Sequence, residues 1–162
     1  MMDASNKKYK NWNDLLYYCK FSANPVGRFV IDAVNERKNI EKIYEASDSL
    51  CTALQIINHI QDCKKDFKEL NRVYIPESFF KKYSLDKKIL RKSKSIENFE
   101  RLKIEIVDNV LLSLRKTKLG LREIQSWRLR KETLIILNIA KRLCNLLKIN
   151  DPLEKQIKLS RI

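Results

Sequence analysis

The stretch Asp48–Asp66, DSLCTALQIINHIQDCKKD, decides how this chain is read. Each residue of an α-helix turns about 100° around the axis, so Asp48, Cys51, Gln55, Asn58, Asp62 and Asp66 fall on one narrow stripe. Leu50, Leu54, Ile56, Ile57 and Ile60 cover the remaining faces. A helix that is apolar nearly all round is a buried helix. A polar stripe is then out of place, because buried carboxylates are costly unless paired, hydrogen-bonded or bound to a metal. Asn58, Asp62 and Asp66 follow one another at intervals of one helical turn. Three oxygen-bearing side chains so placed line a wall suited to a hard divalent cation such as Mg²⁺. An isolated D-x-x-x-D pair more often marks a solvated helix face. The apolar surroundings and the longer stripe set this one apart.

Outward from that helix, the pattern predicts an all-α chain. A short helix is expected over Trp12–Phe21, with Trp12, Leu15, Leu16 and Cys19 at helical spacing. Asn24-Pro25 breaks it, and a second helix over Val26–Val34 puts Val26, Phe29, Val30 and Ala33 on one face. Gly27 there suits close packing, the approach of a substrate, or a plain helix junction. Asn35–Asn39 reads as a charged connection. The central helix runs from Ile40 to Phe67, and a loop holding Arg72 and Tyr74 follows to Pro76. The segment PESFFKKY turns Phe79 and Phe80 inward, and Leu85–Ser95 is basic and expected to be exposed. A helix over Ile96–Lys118 carries the stripe Phe99, Leu102, Ile106, Val110 and Leu114, and Gly120 is expected to end it. The last long helix, Arg122–Leu147, faces the core with Ile136, Ile139, Ala140, Leu143, Leu146 and Leu147. Trp127 and Arg128-x-Arg130 near its start suit an anionic membrane surface as well as an ordinary amphipathic helix.

Composition narrows the classes. No apolar run is long enough to span a bilayer. The opening residues MMDASNKKYKN hold no apolar stretch, so no secretory signal is expected and a cytoplasmic location is. The cysteines Cys19, Cys51, Cys63 and Cys144 fit no zinc spacing, and His59 is the sole histidine; reduced thiols in the core or the wall are expected. A net charge of +14 admits nucleic acid or an anionic lipid as partner. The lysines are scattered rather than gathered into a block, so a solvated surface is the preferred reading and no nucleic-acid partner is expected.

Two segments carry a resemblance. The run Ser47-Asp48-x-x-Cys51-Thr52-Ala53-Leu54-Gln55-x-x-Asn58-x-x-Gln61-Asp62-x-x-x-Asp66, followed by Arg72-Val73-Tyr74-Ile75-Pro76, resembles the second aspartate-rich motif of the squalene/phytoene synthase family. Upstream, Tyr18-Cys19-Lys20-Phe21-Ser22-Ala23-Asn24-Pro25-Val26-Gly27-Arg28 resembles that family's Y-C-x-x-[SV]-A-x-x-V-G segment, in a form similar to its hydroxysqualene synthase branch.

The resemblance implies head-to-head prenyltransferase chemistry on farnesyl or presqualene diphosphate. Asn58, Asp62 and Asp66 would hold Mg²⁺; Gln55, Tyr18, Arg28 and Arg72 would bind substrate; Arg72 and Tyr74 would act at the diphosphate. Ala53, Leu54 and Ile57 would border the pocket. Asn71 stands where the family has a glycine, and asparagine is the next-best residue for a left-handed turn. The implied fold is a partial isoprenoid-synthase helical bundle lacking its N-terminal helices. Residues 1–11 would be a loose N-terminus, 12–149 the C-terminal half of the synthase domain, and 150–162 a basic tail. No second pair of aspartates at helical spacing precedes Tyr18. A separately encoded N-terminal-half chain is therefore an expected partner. A decayed, inactive remnant, a misjudged start codon, or a basic helical protein that binds nucleic acid or anionic lipid are the alternatives.

Overall fold

The computed structural model describes residues 8–159. Among them, seven α-helices follow in order: α1 Trp12–Ser22, α2 Asn24–Ala33, α3 Ile40–Gln61, α4 Cys63–Leu70, α5 Glu77–Lys82, α6 Glu97–Gly120 and α7 Trp127–Ile149. Short 3-10 turns at Lys87–Arg91 and Leu121–Glu123 precede and follow α6. No strand occurs among the described residues, and no helix there is long and apolar enough to cross a membrane.

The helices form where capping and periodicity place them. Asn11 caps α1 by accepting from the Asp14 backbone N–H at 3.1 Å. Pro25 sits in the first turn of α2, where its missing N–H costs nothing. Asn24 is buried and accepts a 3.0 Å hydrogen bond from Thr52 Oγ1, which pins the α1–α2 junction to α3. Asn71 closes α4 in the left-handed region at φ 50°, as its identity predicts. Helix α3 is the axis of the fold. It packs against α6, α2 and α7, and buries Ile43, Leu50, Ala53, Ile56, Ile57 and Ile60. Each such aliphatic side chain contributes roughly 1.5–3 kcal/mol when taken out of water.

Several expectations change. The central helix does not run unbroken to Phe67: it bends at Asp62, whose φ of −102° and ψ of 8° leave the helical region. Hydrogen bonds still flank the bend, from Asp62 N to Asn58 O at 2.9 Å and from Asp66 N to Asp62 O at 2.8 Å. The Asn35–Asn39 connection holds a buried carboxylate. Glu36 accepts from the backbone N–H groups of Gln125 at 3.0 Å and Ser126 at 2.6 Å, anchoring the start of α7. The basic segment 85–95 is not wholly exposed, because Ile89 and Leu90 enter the core. Helix α7 starts at Trp127, where Ser126 caps it, rather than at Arg122. Its Ile136 and Ile139 are exposed, and Leu129, Leu137 and Cys144 take the core side with Ala140 and Leu147.

The ends are tied down where they are described. Residues 1–7 and 160–162 lie outside the described residues. Tyr9, expected to be loose, is buried. Leu153 and Ile157 are buried too, and Gln61 Nε2 donates to the Ile157 carbonyl at 2.6 Å. Lys103 is fully buried on α6 and donates to Glu100 at 2.6 Å and to the Asn150 carbonyl at 2.7 Å. That pairing satisfies an ammonium group that burial alone would penalise.

The two glycines explain how closely the helices approach. Helix α6 ends at Gly120 as expected, but without a left-handed cap: Gly120 is its last helical residue, with φ −71°. A Cβ there would lie 2.3 Å from Ala46 Cβ and 3.1 Å from the Lys42 carbonyl oxygen on α3. A Cβ on Gly27 would lie 2.2 Å from Ser47 Oγ and 2.6 Å from Cys51 Sγ. Of the readings open for Gly27, close packing is the one the structure displays. This contact directs the shared face of Val26, Phe29 and Val30 outward.

Gly120→Ala separates propensity from packing. Helix propensity alone favours alanine by about 1 kcal/mol. Overpacking against α3 opposes it by about 1–3 kcal/mol. The expected outcome is net destabilisation in urea unfolding followed by circular dichroism; a more stable variant would show that α6 and α3 do not meet as described.

Candidate active-site wall

The resemblance implies eight residues in one site; the structure gathers six of them, sets Arg28 apart and leaves Asn58 exposed. Asp62 and Asp66 lie one turn apart across the α3–α4 bend. Asp66 is half-buried. Its carboxyl is pushed above the ordinary range, first by burial and then by the like charge of Asp62, while Lys65 and Arg72 pull it back. Arg72 stands just past the left-handed Asn71, with its backbone N–H on the Asp66 carbonyl at 3.1 Å. Asp62 lines a shallow hollow of about 240 Å³ with Lys64, Lys65, Lys68 and Gln156, and Gln156 Nε2 lies 3.3 Å from its carboxylate. Two carboxylates thus sit among several cations, an arrangement that suits charged oxygens brought from outside.

Behind them is an aromatic cluster. Tyr74 stacks on His59 with ring centroids 3.6 Å apart and planes within 8°. Tyr18 from α1 lies 5.9 Å from Tyr74 and 6.1 Å from His59. Tyr9 stacks on Tyr74 at 5.9 Å and meets Tyr18 edge-on at 5.4 Å. Gln55 reaches His59, with Nε2 of each 3.1 Å apart. With the Gln55 amide donating, the imidazole proton resides on Nδ1, which is buried and has no partner among the described residues. Burial lowers the His59 pKa from 6.5 to about 4, so the ring is neutral at pH 7. Burial also pushes Tyr9 and Tyr18 up, with neighbouring phenols adding to it. Gln55, Tyr18, Tyr74, Arg72, Asp62 and Asp66 thus gather at one end of α3.

Arg28 does not join them. Its guanidinium grips Asp48 in a fork, Nε to Oδ1 at 3.0 Å and Nη2 to Oδ2 at 2.6 Å, and covers the Tyr44 ring at 4.9 Å. Asp48 precedes Asp62 by fourteen residues, which at 1.5 Å per residue is roughly 20 Å along the helix.

The expected enclosure is also absent. Asn58 is exposed, and Asp48, Cys51, Gln55, Asp62 and Asp66 are half-buried. Ala53 and Ile57, expected to border a pocket, are buried in the core, and Leu54 alone of the three keeps partial exposure. The stripe is an open wall. Among the described residues no three of His, Cys, Asp and Glu converge as a metal cage. The four cysteines are free thiols; burial pushes Cys19, Cys63 and Cys144 up to about 12, which keeps them protonated and inert.

Sequence reasoning missed His59, Tyr9 and the lysines around Asp62. The pair Lys64-Lys65 with Lys68 one turn on was a readable signal for the last group. His59 gave none, since a lone histidine on an apolar helix reads as core.

Comparisons with known proteins bear on the family and the fold. The family model for squalene/phytoene synthase matches residues 1–162. A hydroxysqualene synthase of Sinorhizobium fredii is 36% identical over 159 residues, covering 98% of this chain and 53% of the relative. A hydroxysqualene synthase of Rhodopseudomonas palustris is 34% identical over 161 residues, covering 99% of this chain and 54% of the relative. The crystal structure of squalene synthase HpnC from Alicyclobacillus acidocaldarius superimposes with a TM-score of 0.78 at 26% identity, covering 86% of this chain and 52% of that one. The chain spans about half the length of the curated relatives it matches.

The buried histidine has a signed pH consequence. Its folded pKa of about 4 lies below the reference 6.5. The unfolded chain therefore binds the extra proton first as pH falls, and stability is lost between about pH 6.5 and 4. The full difference is at most about 3 kcal/mol. Urea unfolding of the native chain should weaken more between pH 7 and pH 4.5 than that of His59→Phe, which keeps the ring stack without the proton site. Equal slopes would mean that His59 is not buried neutral.

Proposed function

Because this chain belongs to the squalene/phytoene synthase family, we propose that it supplies one wall of a Mg²⁺-dependent prenyl diphosphate site. It acts on farnesyl or presqualene diphosphate in the cytoplasm, opposite a second helical half. The observation that carries this reading is the Asp62–Asp66 pair. Two half-buried carboxylates lie one turn apart, Asp66 is raised by burial and then by the charge of Asp62, and both stand beside Arg72 and a basic hollow. The donor set is all oxygen, hard and incomplete, which fits a cation that takes one or two protein carboxylates and completes its shell with water and substrate phosphates. Asp62, Asp66 and Asn58 would hold it, and when bound it neutralises charge developing on the departing diphosphate.

The chain's own residues do the rest. The Arg72 guanidinium forks onto diphosphate oxygens, and the Tyr74 hydroxyl donates to one of them. Lys64, Lys65 and Lys68 raise the local positive potential that draws the substrate in. When the allylic C–O bond breaks, its electron pair leaves with the diphosphate and a carbocation remains. Tyr18, Tyr74 and neutral His59 offer π faces to that cation, and because His59 carries no proton charge at pH 7 it does not repel it. Gln55 fixes the imidazole. Arg28, held by Asp48, locks α2 onto α3, and binds a diphosphate only if it leaves that partner.

A facing half is part of the proposal for two reasons. The oxygen row is open to solvent, and a carbocation needs a dry enclosure to escape capture by water. On α2, Val26 and Phe29 are 64% and 72% exposed beside the same face, a cost that a packed helix would remove.

Incubated alone with Mg²⁺ and either diphosphate, the chain is expected to yield no prenyl product above background; turnover by the isolated chain would refute the need for a facing half. Combined with a segment equivalent to the remaining half of a relative, it should turn over. There Asp62→Ala should lower the rate at least about 10³-fold with helicity intact. Full retention would remove Asp62 from the site.

A further inference from the structure

The outward stripe of α7 is unlike that of an ordinary amphipathic helix. Steps of three and four residues connect Trp127, Lys131, Ile135, Asn138, Arg142, Asn145 and Ile149, and all seven are exposed. Trp127, Ile135 and Ile149 are 69%, 59% and 79% exposed. Leu134 and Ile139 flank them, also exposed. Three large apolar side chains therefore share one solvent-facing line with two cations, Lys131 and Arg142, and two asparagines, where a solvated helix face is mostly polar.

The charge on this helix is mostly positive, and of its cations Lys148 pairs with Asp108 on α6 at 2.6 Å. Between Trp127 and Ile149 stand Arg128, Arg130, Lys131, Lys141, Arg142 and Lys148 against the single acid Glu132, which Arg128 already pairs at 3.2 Å. Lys131 Nζ lies 4.8 Å from the Trp127 ring centroid, placing a cation and an indole side by side on the outer face.

We propose that this face of α7 rests on an anionic lipid surface, lying in its plane. The combination of side chains selects that occupant. Trp, Ile and Leu enter the boundary between headgroups and acyl chains, while lysine and arginine stems extend toward the phosphates. Nucleic acid would engage the cations but leave the aliphatic side chains without a partner. A packed protein helix would leave Lys131 and Arg142 buried without counter-charges. The surface is separate from the Asp62–Asp66 wall, so the inference does not depend on the proposed chemistry. An in-plane helix would nevertheless hold the protein where long apolar chains are stored.

The test is co-sedimentation of the full chain with vesicles of phosphatidylcholine, with and without phosphatidylglycerol. Binding is expected to the anionic vesicles only, to fall with salt, and to shift Trp127 emission to the blue; Trp127→Phe removes that shift, since Trp12 is packed on Phe79 at 5.8 Å. Lys131→Glu with Arg142→Glu should weaken binding at least about tenfold. Trp127→Ser with Ile135→Ser should weaken it comparably. Phe29→Ser, on the exposed face of α2, should leave it unchanged. The inference is overturned by equal binding to both vesicles, by loss of binding in Phe29→Ser alone, or by RNA binding that ignores Trp127 and Ile135. All these positions are exposed, and unchanged circular dichroism shows that the variants fold.

Discussion

The structure depends on how closely two neighbours approach α3. Gly120 brings α6 against Ala46, and Gly27 brings α2 against Ser47 and Cys51. A helix clasped at such short range has little room for side chains on the clasped faces, so small residues line them. The large side chains Ile43, Leu50, Ile56, Ile57 and Ile60 are buried around the rest of the axis. What remains is the polar stripe. It is left as a wall because every other direction around α3 is already committed to packing.

That wall concentrates groups that are unfavourable by themselves. Two carboxylates repel across one turn, an imidazole nitrogen is buried without a partner, and phenols crowd one another. Buried polar groups left in this state weaken a fold unless something compensates. Here the compensation is the surrounding anchorage: Asn24 to Thr52, Glu36 to the start of α7, Lys103 to Asn150, and Gln61 to Ile157. These long-range bonds hold the frame while the functional end stays under-satisfied, and such a site has most to gain from a cation and a polyanionic ligand.

Charge is divided between two surfaces with different tasks. At the α3–α4 bend, lysines and Arg72 surround acids, so charges of both signs stand side by side. On α7 basic residues share the exposed surface with large apolar ones, and acid is nearly absent. A net charge of +14 summed over the chain conceals this division. It arises from periodicity, since residues one turn apart share a face whatever lies between them.

Much of this was legible in the residues. The all-α class, the partition at Asn24-Pro25, the stripe of α6, the left-handed turn at Asn71 and the family motifs are local features, fixed by spacing, capping and backbone preference. The same locality put Asp62, Asp66, Arg72 and Tyr74 within reach of one another. Other features depend on which distant segment arrives at a surface. Gly120 marks the end of α6, but its close approach to α3 depends on a segment remote in sequence. Phe29 and Ile136 belong to apolar runs whose inward side is set by a neighbour's position. His59 became part of the site because Tyr18, sequentially remote, and the loop carrying Tyr74 close over it. Arg28 was drawn away by Asp48, a partner twenty residues along the chain. Periodicity therefore determined what each helix is and which residues share its faces. Only tertiary packing decided which faces α2 and α7 turn outward, because that choice depends on contacts between segments that no local pattern encodes.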